Sequence, residues 1–238
     1  MAPIEVHFFH GFLGLPSDSE NLSQALKPHG IKVVAHDFWR DLRSLSKPGF
    51  LQWQALKVTE LKASSCELVL VGYSLGGRLL MGLPTQHLPR LQEVYFLASH
   101  PAWLTKEERA QRWLQDQKWA QRFLNEDWAQ LMMDWQNQSV FSGDAPLARR
   151  EGDFHRKNLA LALTEFSVSR QIPWQGEPER SHWIYGDQDP IYSQWAQQIR
   201  EKLPHQKITG LTGFGHRLPL QAAESIAKII LSDLEKQS

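Results

Sequence analysis

The chain contains a serine together with an aspartate and a histidine that could activate it. Each of the three lies on a loop that follows a predicted strand. Ser74 lies in the sequence GYSLG, after the apolar run LVLV and before a segment compatible with a helix. Asp189 lies in the sequence GDQDP, and His216 ends the sequence GFGH. A histidine oriented by a carboxylate can take the proton of a serine hydroxyl, which makes the serine oxygen a nucleophile or a base. The chain order serine, aspartate, histidine therefore predicts this chemistry at these positions.

The turn that carries Ser74 needs small neighbours, because a sharp strand-to-helix turn leaves no room for side chains close to the serine. Gly72 and Gly76 meet that need. A glycine-rich turn with a bystander serine is the alternative for this motif alone, and the two partners downstream disfavour it. Asp187 is a competing acid for Asp189, and it could instead cap the turn.

A second loop of interest, with the sequence HGF, follows the first predicted strand. Gly11 lets the chain turn tightly there, so that the backbone N–H of Phe12 would be presented beside the serine as part of an oxyanion hole. An ordinary glycine turn after a strand is the alternative.

Strand and helix patterns alternate at both ends of the chain. The predicted strands are residues 4–9, 31–35, 68–71, 94–98, 182–185 and 206–209. The sequence HDFW, at residues 36–39, is expected to open a loop after the second strand. This alternation predicts the α/β class, and with the serine motif an α/β-hydrolase fold: a mainly parallel sheet of about six strands with helices on both faces.

A long segment without strand patterns interrupts this alternation. From Lys106 to about Arg170, apolar residues recur near helical spacing, and several of them are tryptophans. We call residues 101–170 the cap, and we expect one domain, with its core at 1–100 and 171–238 and the cap inserted between them. An insertion after a sheet strand can roof a site at the carboxyl edge of the sheet. Simple packing between cap and core is the alternative role for any single tryptophan.

Composition excludes several classes of function. Lys plus Arg and Asp plus Glu number 26 each, so a formal charge of zero disfavours nucleic-acid binding. Cys66 is the only cysteine, which rules out an internal disulfide, and the N-terminus lacks a signal-peptide pattern, so we expect a cytoplasmic protein. No apolar run is long enough for a membrane span. No histidine pair has metal-ligand spacing beside a carboxylate, so we expect no metal. Nothing in the sequence indicates an oligomeric state.

The serine motif and the cap together resemble a known family. The sequence VGYSLGGR is followed by SHPAWLTKEERAQRWLQDQKWAQRFL and then by DWQNQSVF. This series resembles the 2-succinyl-6-hydroxy-2,4-cyclohexadiene-1-carboxylate synthases of menaquinone biosynthesis, α/β-hydrolase-fold lyases that eliminate pyruvate without a metal. The similarity runs from the HGF loop to GFGH and is most specific in the cap, because ordinary hydrolases share the serine motif but not the cap sequences.

The resemblance implies roles for nine residues. They are the triad Ser74, Asp189 and His216, the oxyanion-hole N–H groups of Phe12 and Leu75, the carboxylate anchors Arg78 and Arg112, and the pocket residues Tyr73 and Trp135. A physical argument supports Arg78, which lies one turn after the serine at a helix N-terminus, where a guanidinium and the helix dipole both attract an anion. A surface ion pair is the alternative role for Arg78. The same alternative is open for Arg112.

The chain departs from the family pattern at three places. HDFWRDLRS replaces the family's glycine-rich loop after the second strand, and RLPLQAAE follows His216 without the polar residues usual there. A third substrate arginine has no clean counterpart among Arg149, Arg150 and Arg156.

The resemblance favours proton abstraction and elimination on a small anionic substrate, with no cofactor. Two alternatives remain: a carboxylesterase or thioesterase that forms an acyl-serine, and a binding protein without enzymatic activity. The intact triad argues against the binding protein, and several cap arginines argue against an apolar ester as the natural substrate.

Overall fold

Six parallel strands form one sheet in the computed structural model, which describes residues 2–176 and 179–237. The strands are β1 (Ile4–Phe9), β2 (Lys32–His36), β3 (Glu67–Tyr73), β4 (Leu91–Leu97), β5 (Ser181–Gly186) and β6 (Lys207–Leu211). Their order in the sheet is β2-β1-β3-β4-β5-β6, and every neighbouring pair is parallel. The predicted α/β fold is confirmed, and every predicted strand overlaps an observed one.

Helices connect these strands. They are α1 (Glu20–Leu26), α2 (Phe38–Ser44), α3 (Phe50–Lys62), α4 (Leu75–Leu80), α5 (Lys106–Asn125), α6 (Trp128–Gln136), α7 (Arg156–Glu165), α8 (Pro190–Lys202), α9 (Leu218–Gln221) and α10 (Ala223–Gln237). Among the described residues, no helix combines the length and the apolar character that a membrane crossing requires.

Both faces of the sheet are buried. Alternate residues of each central strand point to opposite faces and so belong to different core clusters. In β1, Phe9 packs in the cluster that includes Trp53 of α3, whereas Phe8 packs in the cluster that includes Ile226 of α10. The central strands therefore read as continuous apolar runs, which is typical of a parallel sheet covered by helices on both faces.

The prediction of a loop at residues 36–39 is wrong, because α2 begins at Phe38. The Asp37 side chain caps this helix by accepting a hydrogen bond from the Arg40 N–H at 3.0 Å. Phe38 and Trp39 are buried in the core. A capping aspartate and the burial of two aromatic rings stabilise a helix where the local sequence gave no helical period.

The segment between β4 and β5 is helical, as expected, and residues 106–170 hold no strand. A capping box starts α5: the Glu108 N–H donates to Thr105 Oγ1 at 3.2 Å, and the Thr105 N–H donates to Glu108 Oε2 at 2.7 Å. Phe123 of α5 and Leu159 of α7 are fully buried in the same core cluster as Phe9. The apolar side of these helices thus joins the cluster that covers one face of the sheet.

Candidate active site

Ser74 occupies the one-residue corner between β3 and α4. Its backbone has a φ of 50° and a ψ of −109°, a conformation that residues other than glycine rarely adopt. The corner is tight enough that a Cβ on Gly72 would lie 2.5 Å from the Cα of Gly77, and a Cβ on Gly76 would overlap the carbonyl oxygen of Phe9. The glycines let the strand and the helix approach closely, and Ser74 is held at the carboxyl edge of the sheet.

The structure brings Ser74, His216 and Asp189 together in one hydrogen-bonded chain. His216 Nε2 lies 3.3 Å from Ser74 Oγ, and His216 Nδ1 lies 2.8 Å from Asp189 Oδ2. Asp189 is fully buried and also caps α8, because its Oδ1 accepts the N–H groups of Ile191 and Tyr192 at 3.1 Å. These bonds hold the carboxylate in place, so that it can orient the imidazole with Nε2 towards the serine.

Asp187, the competing acid, has a different partner. Its Oδ1 accepts the Gly213 N–H at 2.8 Å and so ties the loop after β5 to the loop that carries His216. The geometry therefore places Asp189, and not Asp187, at the histidine.

The HGF loop lies against the serine corner. A Cβ on Gly11 would be 2.9 Å from Cε1 of Tyr73 and 3.3 Å from Ser74 Cβ, so a glycine here lets the loop approach the serine closely. His10 supports the loop from behind: Nδ1 donates to the Gly11 carbonyl at 2.9 Å, and Nε2 accepts the Phe38 N–H at 3.2 Å. Burial lowers the pKa of His10, which agrees with a neutral ring that both donates and accepts.

The two N–H groups expected in the oxyanion hole are available. Within residues 2–176 and 179–237, neither the Phe12 N–H nor the Leu75 N–H donates a hydrogen bond to another protein group. Phe12 and Leu75 both line the cavity at Ser74. Because buried N–H groups are nearly always paired, two unpaired ones beside a serine are suited to bind an oxygen of a ligand.

A cavity of about 370 Å³ opens at Ser74 and His216. The four residues expected to contact substrate all line it: Tyr73, Arg78, Arg112 and Trp135. The Trp135 ring lies 4.8 Å from the Phe12 ring, centroid to centroid, at an angle of 41°, and the Tyr73 ring lies 5.3 Å from the His216 ring. The cavity therefore has an aromatic wall on the side of the HGF loop and two guanidinium groups elsewhere in its lining.

Arg78 is a guanidinium without a carboxylate partner. Its Nη1 donates to the carbonyl of Phe166 at 2.7 Å and to Gln171 Oε1 at 3.5 Å, and no carboxylate among the described residues forms a salt bridge with it. Burial, and to a lesser degree the nearby charge of Arg112, lower the pKa of Arg78 to about 10. A half-buried cation next to a second cation favours the binding of an anion in the space between them.

Arg112 is positioned by its own helix. Its Nε donates to Asp116 Oδ1 at 2.8 Å, one turn further along α5, and Asp116 Oδ2 accepts the Ser167 hydroxyl at 2.6 Å. This chain of contacts holds one edge of the guanidinium and directs the side chain along the cavity wall. The surface ion pair considered for Arg112 therefore exists, but it lies at the rim of the cavity that also contains Ser74.

None of the three arginines considered as a third anchor lines this cavity. Arg149 binds Asp18 with Nη2 at 2.7 Å and the Leu13 carbonyl with Nε at 2.7 Å. Arg156 binds Glu151 and the backbone carbonyls of the α5–α6 junction, and Arg150 is exposed. These contacts fix the cap and leave none of the three facing Ser74.

The cavity lining also includes residues that the sequence did not identify as site residues, among them His100, Gln138 and Tyr192. His100 accepts the Ala102 N–H with Nδ1 at 2.9 Å, and burial together with the charge of Arg112 lowers its pKa well below the usual value. Tyr192 follows Asp189 by three residues, which is one helical turn, so the position of the acid could have indicated it. Gln138 had no such signal, because it lies between α6 and a 3₁₀ turn of the cap, outside any periodic pattern.

One buried cluster has the residue types of a metal site, namely Glu93, His182 and Asp233. Lys207 pairs with Glu93 at 2.7 Å, and His182 uses Nδ1 for Asp233 and Nε2 for Thr209, both at 2.8 Å. The potential ligand atoms thus already pair with each other and with a lysine. The cluster reads as a buried ion-pair network between β4, β5, β6 and α10.

Comparison with known proteins shows the family to which the chain is related. The sequence matches the alpha/beta hydrolase family over residues 8–229. It is 33% identical to the 2-succinyl-6-hydroxy-2,4-cyclohexadiene-1-carboxylate synthase of Escherichia fergusonii over 170 residues, which are 69% of this chain and 68% of the relative.

Two solved structures are similar in fold. MenH from S. aureus superposes with a TM-score of 0.83 at 17% identity, covering 99% of this chain and 95% of that chain. A carboxylesterase structure from the ammonia-oxidizing thaumarchaeon Nitrososphaera gargenis superposes with a TM-score of 0.69 at 15% identity, covering 98% and 90%.

Proposed function

The chain belongs to the alpha/beta hydrolase family and, within it, to the 2-succinyl-6-hydroxy-2,4-cyclohexadiene-1-carboxylate synthases, and from this premise we propose its reaction. The protein eliminates pyruvate from a succinyl-enolpyruvyl-hydroxycyclohexene carboxylate, a step of menaquinone biosynthesis. It does so as a single domain in which the cap, residues 101–170, covers the site. Its location in the cytoplasm stays a prediction from the sequence.

In the proposed mechanism Ser74 acts as a base. His216, oriented by Asp189, takes the proton of the Ser74 hydroxyl, and the serine oxygen takes a proton from a ring carbon of the substrate. The electrons of that C–H bond form a ring double bond, and the C–O bond to the enolpyruvyl group breaks. The enolate that leaves takes the proton that His216 holds, which gives pyruvate and returns His216 to its starting state. The Phe12 and Leu75 N–H groups stabilise negative charge on a substrate oxygen.

The main observation in support of this proposal is that the guanidinium of Arg78 lies in the cavity of Ser74 without a carboxylate partner. Two arginines, Arg78 and Arg112, line that cavity, and Arg78 meets only neutral oxygen atoms. A substrate with several carboxylates supplies the missing counter-charge, and a guanidinium binds a carboxylate through two parallel hydrogen bonds. A neutral ester would leave the charge of the half-buried Arg78 uncompensated.

The alternative is a carboxylesterase or thioesterase. The same serine, histidine and oxyanion groups can form an acyl-serine, and the fold is shared with a carboxylesterase. This reaction needs the triad but has no use for two cavity arginines.

A substrate comparison tests the proposal. The purified protein is assayed for pyruvate release from the succinyl-enolpyruvyl substrate and for hydrolysis of a series of short neutral esters and thioesters. We expect the kcat/KM for pyruvate release to exceed the kcat/KM for the hydrolysis of every ester. Ester or thioester hydrolysis without pyruvate release would favour the alternative.

A further inference from the structure

The loop after β4 brings a buried histidine, His100, to the cavity of Ser74. β4 lies beside β3, which leads into Ser74, and His100 follows the last residue of β4 by three positions. The Ser74 N–H donates to the Leu97 carbonyl at 2.9 Å, so this loop leaves the sheet next to the serine corner. His100 is 8% exposed and lines the cavity. The proposed mechanism uses neither of its ring nitrogens.

The loop fixes which nitrogen of the His100 ring carries the proton. Nδ1 accepts the Ala102 N–H at 2.9 Å, and a backbone N–H can only donate. Ala102 is fully buried, so its N–H depends on this bond. Trp195 of α8 holds the ring from the side, with ring centroids 4.3 Å apart. The neutral ring therefore carries its proton on Nε2.

The Nε2–H group of His100 is a donor without a protein partner. Within residues 2–176 and 179–237, no protein group forms a hydrogen bond with Nε2, and the atom keeps accessible surface although the residue is buried. His100 lines the cavity of Ser74, so this surface opens into the cavity. A polar group left unpaired at a buried wall is suited to bind an oxygen of a ligand.

The surroundings of His100 select a neutral ring and an anionic acceptor. Burial, and then the charges of Arg112 and Arg78, lower the pKa of His100 well below its usual value. The ring thus stays neutral at neutral pH, where it can donate a hydrogen bond but does not titrate. The same two guanidinium groups attract a negative oxygen to this part of the cavity.

The substrate of the proposed reaction needs such a donor. It carries three carboxylates, one each on its succinyl, enolpyruvyl and ring parts. Arg78 and Arg112 line the cavity, whereas none of the three arginines considered as a third anchor does. We propose that His100 is a substrate-binding residue, whose Nε2–H donates to an oxygen of the carboxylate that the two arginines leave unpaired. The inference rests on the proposed function, which supplies the third carboxylate.

Two substitutions separate the two contacts of the ring. The side-chain oxygen of Asn lies nearly where Nδ1 of a histidine lies, so His100→Asn can still accept the Ala102 N–H but has no group at Nε2. The amide of Gln reaches nearly to the Nε2 position, so His100→Gln keeps a donor in the cavity. His87→Asn, at an exposed position, is the matched control.

We expect His100→Asn to raise KM for pyruvate release by about 10- to 100-fold with kcat little changed. A hydrogen bond to a charged group is lost, and it is lost equally from the bound substrate and from the transition state. His100→Gln should recover part of the affinity, and His87→Asn should keep the KM of the parent protein. Hydrolysis of a small neutral ester, which has no carboxylate, serves as the control reaction.

A second measurement depends neither on turnover nor on a variant. Nuclear magnetic resonance of the histidine ring nitrogens shows which nitrogen carries the proton. In the wild-type protein we expect it on Nε2 of His100, and we expect the Nε2 resonance to shift on addition of propane-1,2,3-tricarboxylate. The neutral triol of the same carbon skeleton should leave it in place. Calorimetry with the tricarboxylate should give a Kd about 10- to 100-fold higher in His100→Asn.

The two measurements separate the inference from the proposed function. Weaker tricarboxylate binding by His100→Asn in a protein that releases no pyruvate would support the role of His100 and contradict the lyase reaction. Pyruvate release with an unchanged KM in His100→Asn would overturn the inference alone. A proton on Nδ1, or an Nε2 resonance that the tricarboxylate does not move, would also overturn it. Equal losses on the anionic substrate and the neutral ester would overturn it as well, because His100 would then only support the loop.

Discussion

Arg78 and Arg112 line one cavity, and the charge of Arg112 contributes to lowering the pKa of Arg78. Arg112 has a carboxylate neighbour in Asp116 at 2.8 Å, whereas Arg78 is bound only by a carbonyl and an amide oxygen. An anionic ligand relieves the repulsion between the two cations and compensates the charge of the half-buried Arg78. The site is thus electrostatically incomplete without an anion.

The first prediction concerns these two arginines. Arg78→Ala or Arg112→Ala should lower kcat/KM for the anionic substrate by roughly 30- to 1000-fold, because a substrate carboxylate left unpaired is destabilised by about 2–4 kcal/mol. Lys should restore activity only in part at either position, since an ammonium lacks the planar fork of a guanidinium. Kinetics with the succinyl-enolpyruvyl substrate measure both effects.

Two controls make this result specific. Any hydrolysis of a small neutral ester should change little in the same variants, and Arg200→Ala, at an exposed position on α8, should keep both activities. Equal losses on anionic and neutral substrates would mean that the arginines support structure, which would favour the esterase reading.

The second prediction separates the two acids of the loop after β5. Asp189→Asn should reduce turnover by several orders of magnitude, because an amide at 2.8 Å from His216 Nδ1 favours the wrong tautomer of the imidazole. Asp187→Asn should be mild, since an amide oxygen can still accept the Gly213 N–H. Measured kcat values with the opposite order would exchange the roles of the two acids.

The third prediction concerns the corner at Ser74. Gly76→Ala should lower the free energy of unfolding by about 1–3 kcal/mol, because the new Cβ would overlap the backbone carbonyl of Phe9, which cannot rotate away. Gly152→Ala is the matched control, since no atom lies within 4 Å of a Cβ there. Urea unfolding measures both, and equal stability of the two variants would contradict the packing described here.

The fourth prediction concerns acid stability. His36 stacks on Phe9 and shares a hydrogen bond with His7 at 2.9 Å, and burial followed by the charge of Lys57 lowers the pKa of His36 to about 2. Between pH 6.5 and about 2 the unfolded chain binds a proton that the folded chain does not, so the free energy of unfolding is highest above pH 6.5 and falls as the pH decreases.

Unfolding experiments at a series of pH values test this. His36→Gln should reduce the slope of the unfolding free energy against pH below 6.5 by up to about 1.4 kcal/mol per pH unit, which is the contribution of one proton. His205→Gln, at an exposed position, should leave the slope unchanged. An unchanged slope in His36→Gln would contradict the assignment of a neutral, buried His36.

The sequence predicted the sheet well because parallel strands buried on both faces are unbroken apolar runs, as in LVLV before Ser74. It also predicted which residues would meet at the site, since residues at the carboxyl ends of neighbouring parallel strands share one edge of the sheet. Ser74 follows β3, and Asp189 and His216 follow β5 and β6, which explains why order and spacing alone placed them together.

Other features depend on contacts that no local pattern contains. The helix α2 forms because Asp37 caps it and because its aromatic residues meet the core, which only the assembled fold provides. Arg149 is one of three arginines near the expected position of a third substrate anchor, but its partner Asp18 lies 131 residues earlier in the chain. Tyr192 lines the cavity of Ser74 because β5 lies beside β4, which in turn lies beside β3.

The central claim is that Ser74 acts as a base in an elimination. The most direct test follows pyruvate and the ring product together in a single turnover of the succinyl-enolpyruvyl substrate, with the mass of the intact protein recorded at each time. We expect equal amounts of the two products, no covalent adduct on Ser74, and a rate of pyruvate release at least about 1000-fold lower in Ser74→Ala. An acyl adduct on Ser74, or an undiminished rate in Ser74→Ala, would contradict it.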